Sequence, residues 1–252
     1  MPPNTPTNPF EGLGYSDFER MARDPSLSSN EKIGFPDTYR VGYEQAIYAD
    51  IKSKLPKLVQ PGATVLDIGP GCADLPRMLI ADCQRHGQSL VLVDSAAMLD
   101  MLPEGVGVQK VPGFYPHCRD ALGALIGRVD VLLCYSVFHY IFVEASFWRF
   151  VDFSLELLAP GGQMLIGDIP NISKRKRFFS SDAGVKFHQH FMQTADVPEV
   201  DFRAIESDKI DDAVILGVIL RARAQGCDAY WLPQPDALPM ANRREDILIF
   251  KP

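Results

Sequence analysis

Cysteine is scarce: five in 252 residues, and none of Cys72, Cys83, Cys118, Cys134 and Cys227 forms a C-x-x-C pair. An odd, scattered set of thiols argues against a disulfide framework and against a zinc centre, and points to a reducing, cytoplasmic setting. Long apolar runs are absent too. Nothing approaches the 18 uncharged apolar residues of a membrane-spanning helix. The opening MPPNTPTNPF has neither a basic region nor an apolar core, so it does not read as a secretory signal. Positive charge is in deficit, with 25 Lys and Arg against 32 Asp and Glu and a net charge of −7. That balance gives no global attraction for nucleic acid or an anionic bilayer, and both are disfavoured as partners. No internal repeat is present.

What the chain does have is apolar material, at 46% of residues, with 23% charged. This is the composition of a globular protein able to bury a large core. Residues 1–14, with four prolines in the first nine, read as a disordered or loosely docked tail. Residues 15–252 read as one domain with a helical extension over 15–60. Within it, Val41, Tyr43, Ile47, Ile51, Leu55 and Leu58 fall at helical spacing before the Pro61-Gly62 break.

A regular alternation follows. Short apolar runs at Thr64–Ile68, Leu90–Val93, Val106–Val111, Val129–Tyr135 and Gln163–Gly167 alternate with helical stretches near 74–85, 96–102, 121–126 and 144–158. Such alternation predicts βαβ units, a parallel sheet and helices on both faces. Asp228–Leu232 and Asp246–Phe250 are two more strands, joined by a segment too short for a helix of normal length, which predicts an antiparallel pair at the sheet edge. The expected fold is therefore α/β, Rossmann-like, with seven strands, mostly parallel, and an antiparallel C-terminal edge strand. Residues 170–206 interrupt the pattern as an insertion on the substrate side.

The chemistry begins at Val65–Asp74, where a strand runs into Gly69-Pro70-Gly71 and then a helix. That turn places backbone N–H groups and a helix N-terminus at the carboxyl edge of the sheet, where open α/β folds bind ligands. A dinucleotide fingerprint would need glycine where Asp74 stands, and a pyrophosphate would meet both Asp67 and Asp74. No G-K-[ST] follows, so a P-loop fails as well. A ligand with cationic groups and no phosphate fits better, and S-adenosylmethionine has a sulfonium, an ammonium and a ribose diol. Asp94 ends the second strand, where a carboxylate can accept both ribose hydroxyls. The alternative is an ordinary Rossmann-like turn with a surface aspartate.

These segments together resemble the class I S-adenosylmethionine-dependent methyltransferases. Val65–Ala73 is similar to their first motif and Val91–Asp94 to their second. Asp130–Ile141 (DVLLCYSVFHYI) is similar to their fourth strand and turn, and Leu158–Gly167 (LAPGGQMLIG) to their entry into the fifth strand. The resemblance covers about residues 40–252. It implies that Gly69 and Gly71 line the methionine moiety with Asp67 nearby, and that Asp94 holds the ribose with Ser95 and Met98 close. It also implies that Tyr135 and Ser136 face cofactor and substrate. Many members carry an acidic residue after the third strand for the adenine; here Val111-Pro112-Gly113-Phe114-Tyr115 has none, leaving backbone groups and the Phe114 ring.

Transfer to a hydroxyl needs a base. Candidate catalytic residues are His139, in the turn after strand four, Asp168, after strand five, and His188, in the insertion. Each has a plainer reading: a cap or backbone-bonded His, a turn-forming Asp, or one more residue of the acceptor pocket. Lys174-Arg175-Lys176-Arg177 is the only dense basic run, read either as a solvated loop or as a lid over an anionic acceptor. The expected activity is methylation of a small molecule, at a hydroxyl of a sugar or secondary metabolite. The alternatives are a protein or RNA methyltransferase, or a catalytically silent cofactor-binding subunit. A homodimer is compatible with the sequence.

Overall fold

Seven apolar runs become strands: β1 (Thr64–Ile68), β2 (Ser89–Asp94), β3 (Val108–Pro112), β4 (Val129–Tyr135), β5 (Leu158–Pro170), β6 (Asp228–Pro233) and β7 (Arg244–Phe250) in the computed structural model. It describes residue 10 and residues 12–252; the tail expected over 1–14 lies largely outside the described residues. The strands form one sheet in the order β3-β2-β1-β4-β5-β7-β6. β1 pairs in parallel with β2 and β4, and β4 with β5. The C-terminal pair is antiparallel within itself, as expected, but β7 lies one place inside the edge, between β5 and β6, and β6 is outermost. Ile247 and Ile249 of β7 are buried, whereas Tyr230 of β6 is 46% exposed. The more apolar strand takes the inner place because it is covered on both faces.

Period-2 alternation divides the side chains between two cores. Leu66, Ile68, Leu132 and Cys134 face α6 (Phe138–Glu144), α7 (Phe147–Leu157) and α10 (Asp212–Ala224). Val65, Val131 and Leu133 face α3 (Glu44–Lys54) and α4 (Asp74–Arg85). The helix expected over 39–58 is shorter than its apolar spacing suggests. It is confined to α3, and Pro56 starts a separate 3₁₀ turn, because the residue before a proline is pushed out of the helical region. β3 starts at Val108, not Val106, which is 93% exposed.

The turn Ala159-Pro160-Gly161-Gly162 shifts the β4–β5 register between Val129↔Leu158 and Val131↔Gln163. A Cβ on Gly162 would come within 2.8 Å of two backbone oxygens, those of Ala159 and Val129, so only glycine fits there. Residues 170–206 are not an open loop. They hold α8 (Ile172–Phe179), N-capped by Asn171, and α9 (Asp182–Met192), N-capped by Ser181. At the N-terminus, α1 (Tyr15–Ala22) packs over α5 (Ala96–Leu99), and α2 (Ser29–Lys32) starts with a Ser28/Glu31 capping box.

Candidate active site

The carboxyl ends of β1, β2 and β4 surround an inner cavity. Ile68, Gly69, Pro70, Gly71, Asp94 and Met98 line one side, and Phe114, Tyr135 and Ser136 another. Both glycines take left-handed backbone, with φ of +69° and +67°. A Cβ on Gly69 would lie 2.6 Å from Val137 Cγ2, and one on Gly71 2.5 Å from Ile33 Cγ2. The turn therefore needs glycine twice over, for conformation and for space. The N-cap residue of α4 is Ala73, so no side chain caps its first turn, and that helix end is open to a ligand's anionic group.

Asp94 carries the electrostatics of this cavity. Its carboxylate accepts from Gly71 N–H at 2.9 Å and from Ser95 N–H at 2.6 Å. Burial nevertheless raises its pKa to about 6, against the lowering by those two bonds. A half-buried carboxylate with remaining lone pairs is a ready acceptor for a diol. Asp67 sits deeper, on β1, and does not line the cavity; burial, reinforced by Asp94, raises its pKa to about 8. Ser95 is also outside the lining. It is 2% exposed, and its side chain caps α5 by accepting from Met98 N–H at 3.3 Å.

Six of the residues that line the inner cavity come from the N-terminal extension, whose sequence read as helical but gave no sign of a place at the site. Tyr15, Phe18, Ile33, Phe35, Arg40 and Glu44 all line it. Tyr15 packs against Phe114 with its ring tilted by 47° at 4.9 Å between centroids, and Phe18 meets Tyr140 edge-on at 4.8 Å. The Tyr15 N–H donates to the Glu144 carboxylate at 2.9 Å and so ties α1 to α6. Arg40 is 5% exposed, lies over the Phe35 ring, and donates from Nη2 to Ser136 Oγ at 2.8 Å. Its Nε is buried without a partner among the described residues. Helical spacing was visible in this segment; which element it would cover is a tertiary fact.

Behind Ser136 lies Asp168. Both residues have positive φ, +63° and +55°, at the carboxyl ends of β4 and β5. Such non-glycine positions cost about 1–3 kcal/mol each and persist only where their surroundings hold them. Here Ser136 Oγ donates to the Asp168 carboxylate, and the Asp168 N–H donates to Asp246 Oδ1 at 2.8 Å. Arg40 and Arg244 approach the same carboxylate at 3.9 and 3.7 Å. Asp168 is buried and lines neither cavity, so it sets the position of Ser136 and Arg40 without facing a substrate.

A second, wider cavity adjoins the first, with Phe35, Tyr140 and Glu144 common to both. His139 lines this outer cavity, not the inner one. Its Nδ1 is buried without a partner, and burial, with Arg244 and Lys209 adding to it, holds the ring well below the usual histidine range. The imidazole is thus neutral at pH 7. His188 lies in mid-α9, against Phe179, and lines neither cavity. Of the residues expected at the site, Gly69, Gly71, Asp94, Met98, Phe114, Tyr135 and Ser136 are brought together in the inner cavity. His139 stands next door, and Asp67, Ser95 and Asp168 form a supporting layer.

The basic run is helical, on α8, and largely satisfied. Lys174 meets Glu245 at 3.2 Å, Lys176 meets Glu206 at 2.6 Å, and Arg177 meets Asp212 at 2.5 Å. Arg175 alone of the four lines the outer cavity.

Comparison with known proteins adds the fold's relatives. No family model matches the sequence, and no curated protein matches it. Among solved structures, the plantazolicin methyltransferase BamL, in complex with a triazolic desmethylPZN analog and SAH, superposes with a TM-score of 0.57. It is 12% identical, over 94% of this chain and 96% of that one. A chain from the complex between the Haloferax volcanii Trm112 methyltransferase activator and a methyltransferase gives 0.55 at 15% identity, over 94% and 98%. At these identities the likeness is one of architecture: the chain shares the Rossmann-like α/β fold of these two methyltransferases.

Proposed function

We propose that this protein is an S-adenosylmethionine-dependent methyltransferase whose acceptor is a small molecule bound in the outer cavity and methylated on a hydroxyl. The observation that carries the reading is the Asp94 carboxylate beside two left-handed glycines, in a cavity that opens onto a second one lined by a neutral histidine. The inner cavity fits the cofactor's chemistry: a carboxylate for the ribose diol, an uncapped helix end and the buried Arg40 guanidinium for the carboxylate, and Phe114 for the adenine. When bound, the cofactor supplies a methyl group that is already activated at sulfur, so alignment of the acceptor is the main demand.

The chain's own residues would do the rest. Asp94 and the glycine turn hold the donor. Tyr135 and Ser136 separate it from the acceptor side, with Asp168 positioning Ser136. His139, neutral at pH 7, takes the proton of the acceptor hydroxyl at an imidazole nitrogen as the oxygen attacks. Asp67 stays behind the turn, where a cationic ligand group would favour its ionised form.

Calorimetry with the product nucleoside, S-adenosylhomocysteine, tests the donor site. Asp94→Asn should weaken binding by about 10- to 100-fold, the worth of one charge-assisted bond at about 1.5–3 kcal/mol. Equal affinity in wild type and mutant would remove the ribose role from Asp94. For the base, His139→Ala should lower turnover about 10²- to 10⁴-fold and leave nucleoside affinity intact. Full turnover in that variant would mean that the acceptor needs no base here.

A further inference from the structure

The outer cavity holds more charge than an acceptor hydroxyl needs. Four cations line it, Arg175, Lys209, Arg243 and Arg244, against Glu144, Glu206 and Asp208. Most are already matched. Arg244 faces Asp168 at 3.7 Å, Lys209 meets Asp208 at 3.4 Å, Glu206 is held by Lys176, and Glu144 by the Tyr15 N–H. Two cations remain. Among the described residues neither Arg243 nor Arg175 forms an ion pair. Among the described residues the only side-chain hydrogen bond of Arg243 goes to the neutral Asn242, at 3.2 Å, and Arg175 lies 5.4 Å over the Phe179 ring.

Arg243 is the inner of the two and only partly exposed. Burial is the main cause that lowers its pKa, and the neighbouring guanidiniums of Arg244 and Arg175 lower it further, against a partial opposing pull from Tyr39 and Asp168. Arg243 is thus half-buried beside two like charges with no ion-pair partner of its own, while Arg175 stays exposed, so an anion that enters the cavity meets Arg243 unpaired. Beside His139 and Asn171, the lining includes the apolar and aromatic side chains of Phe35, Tyr39, Tyr140, Val143, Ile172 and Ile210.

Resting on the methyltransferase reading of the adjoining cavity, we propose that the acceptor is an organic acid. Its apolar body fills the outer cavity and its carboxylate is anchored by Arg243, with Arg175 closing over it from α8. A guanidinium matches a carboxylate with two parallel N–H bonds, which a lysine cannot do. Glu206 and Asp208 line the same cavity and disfavour a doubly charged phosphate, so a single carboxylate is the better match. The anchor is thus one arginine of the basic run together with Arg243, and not the run as a whole.

The test uses the full chain and three probes: 3-phenylpropanoate, its neutral amide, and inorganic phosphate. Binding is read by calorimetry and by the histidine signals in NMR, with S-adenosylhomocysteine titrated separately. The acid should bind at least tenfold more tightly than the amide or phosphate. Arg243→Gln should reduce the acid to the level of the amide, Arg243→Lys should fall between, and Arg175→Gln should cost a smaller factor. Nucleoside affinity should stay at the wild-type value in all three, which also shows that they are folded. Equal binding of acid and amide, no binding of the acid, tighter binding of phosphate, or an unchanged acid affinity in Arg243→Gln would each overturn the proposal. Failure of the nucleoside to bind while the acid binds would instead sink the methyltransferase reading and leave the acid site standing.

Discussion

At the scale of single residues, the site is dominated by carboxylates kept where water would not leave them. Asp67 is the sharpest case. Its folded-state pKa of about 8 lies far above that of an exposed aspartate, because burial and Asp94 both oppose its charge. Between about pH 4 and pH 8 the folded protein therefore holds a proton that the unfolded chain has lost. Stability attributable to this group falls as pH rises through that window, by up to about 1.4 kcal/mol per pH unit. Asp67→Asn should accordingly raise the melting temperature of the ligand-free protein at pH 8 and much less at pH 5. Each kcal/mol is worth about 2–4 °C in a chain of this size. Thermal scans of both proteins from pH 5 to 8.5 check this, and a difference independent of pH would mean that Asp67 is ionised throughout. The sequence placed Asp67 beside the glycine turn but gave no sign that it sits beneath the cavity floor. Depth is set by how β1 is sandwiched between β2 and β4.

At the scale of elements, α8 shows how a charge pattern can mislead. Four consecutive basic residues in a chain of net charge −7 suggest a surface waiting for an anion. On a helix, however, successive residues point in directions 100° apart, so four in a row serve several partners. Lys174 reaches β7 at Glu245, Arg177 reaches α10 at Asp212, and Lys176 meets Glu206 in the segment between. Arg177→Gln should therefore cost no more than about 1 kcal/mol of stability, since the pair is half exposed, and leave the acceptor KM unchanged. Urea denaturation and steady-state kinetics measure the two separately. A raised KM would return the whole run to the binding surface. The helices of 170–206 were hidden for a related reason: their caps, Asn171 and Ser181, are ordinary loop residues until a helix follows them.

At the scale of the whole molecule, a buried ionic chain fastens the N-terminal extension to the sheet. Lys54 on α3 donates to Asp246 on β7 at 2.6 Å and to Asp50 at 2.5 Å. Asp246 accepts in turn from the Asp168 N–H at 2.8 Å and from Gln234 Nε2 at 3.1 Å. Arg40 and Ser136 complete the path to the cavity wall. Removing one partner leaves a charge buried without compensation, which typically costs about 3–5 kcal/mol. Lys54→Met should lose about that much in urea denaturation and should also weaken nucleoside binding, because Asp168 and Ser136 lose their anchor. A loss below about 1 kcal/mol would show that water reaches Asp246.

The division between sequence and tertiary structure follows from the range of the forces involved. Alternating apolar runs, the Gly69-Pro70-Gly71 turn and Asp94 at a strand end are local patterns. Periodicity and backbone sterics act within a few residues, so they determined the seven strands, the parallel core of the sheet and the inner floor of the cavity. The partners of Asp168 and Arg40, the roof built by Tyr15 and Phe18, the placing of β7 inside β6, and the meeting of Arg175 with Arg243 join residues tens to more than a hundred positions apart. No local pattern encodes them. They are decided when the two faces of the sheet are covered and the charges left inside must find one another, because an unmatched charge cannot stay buried at little cost.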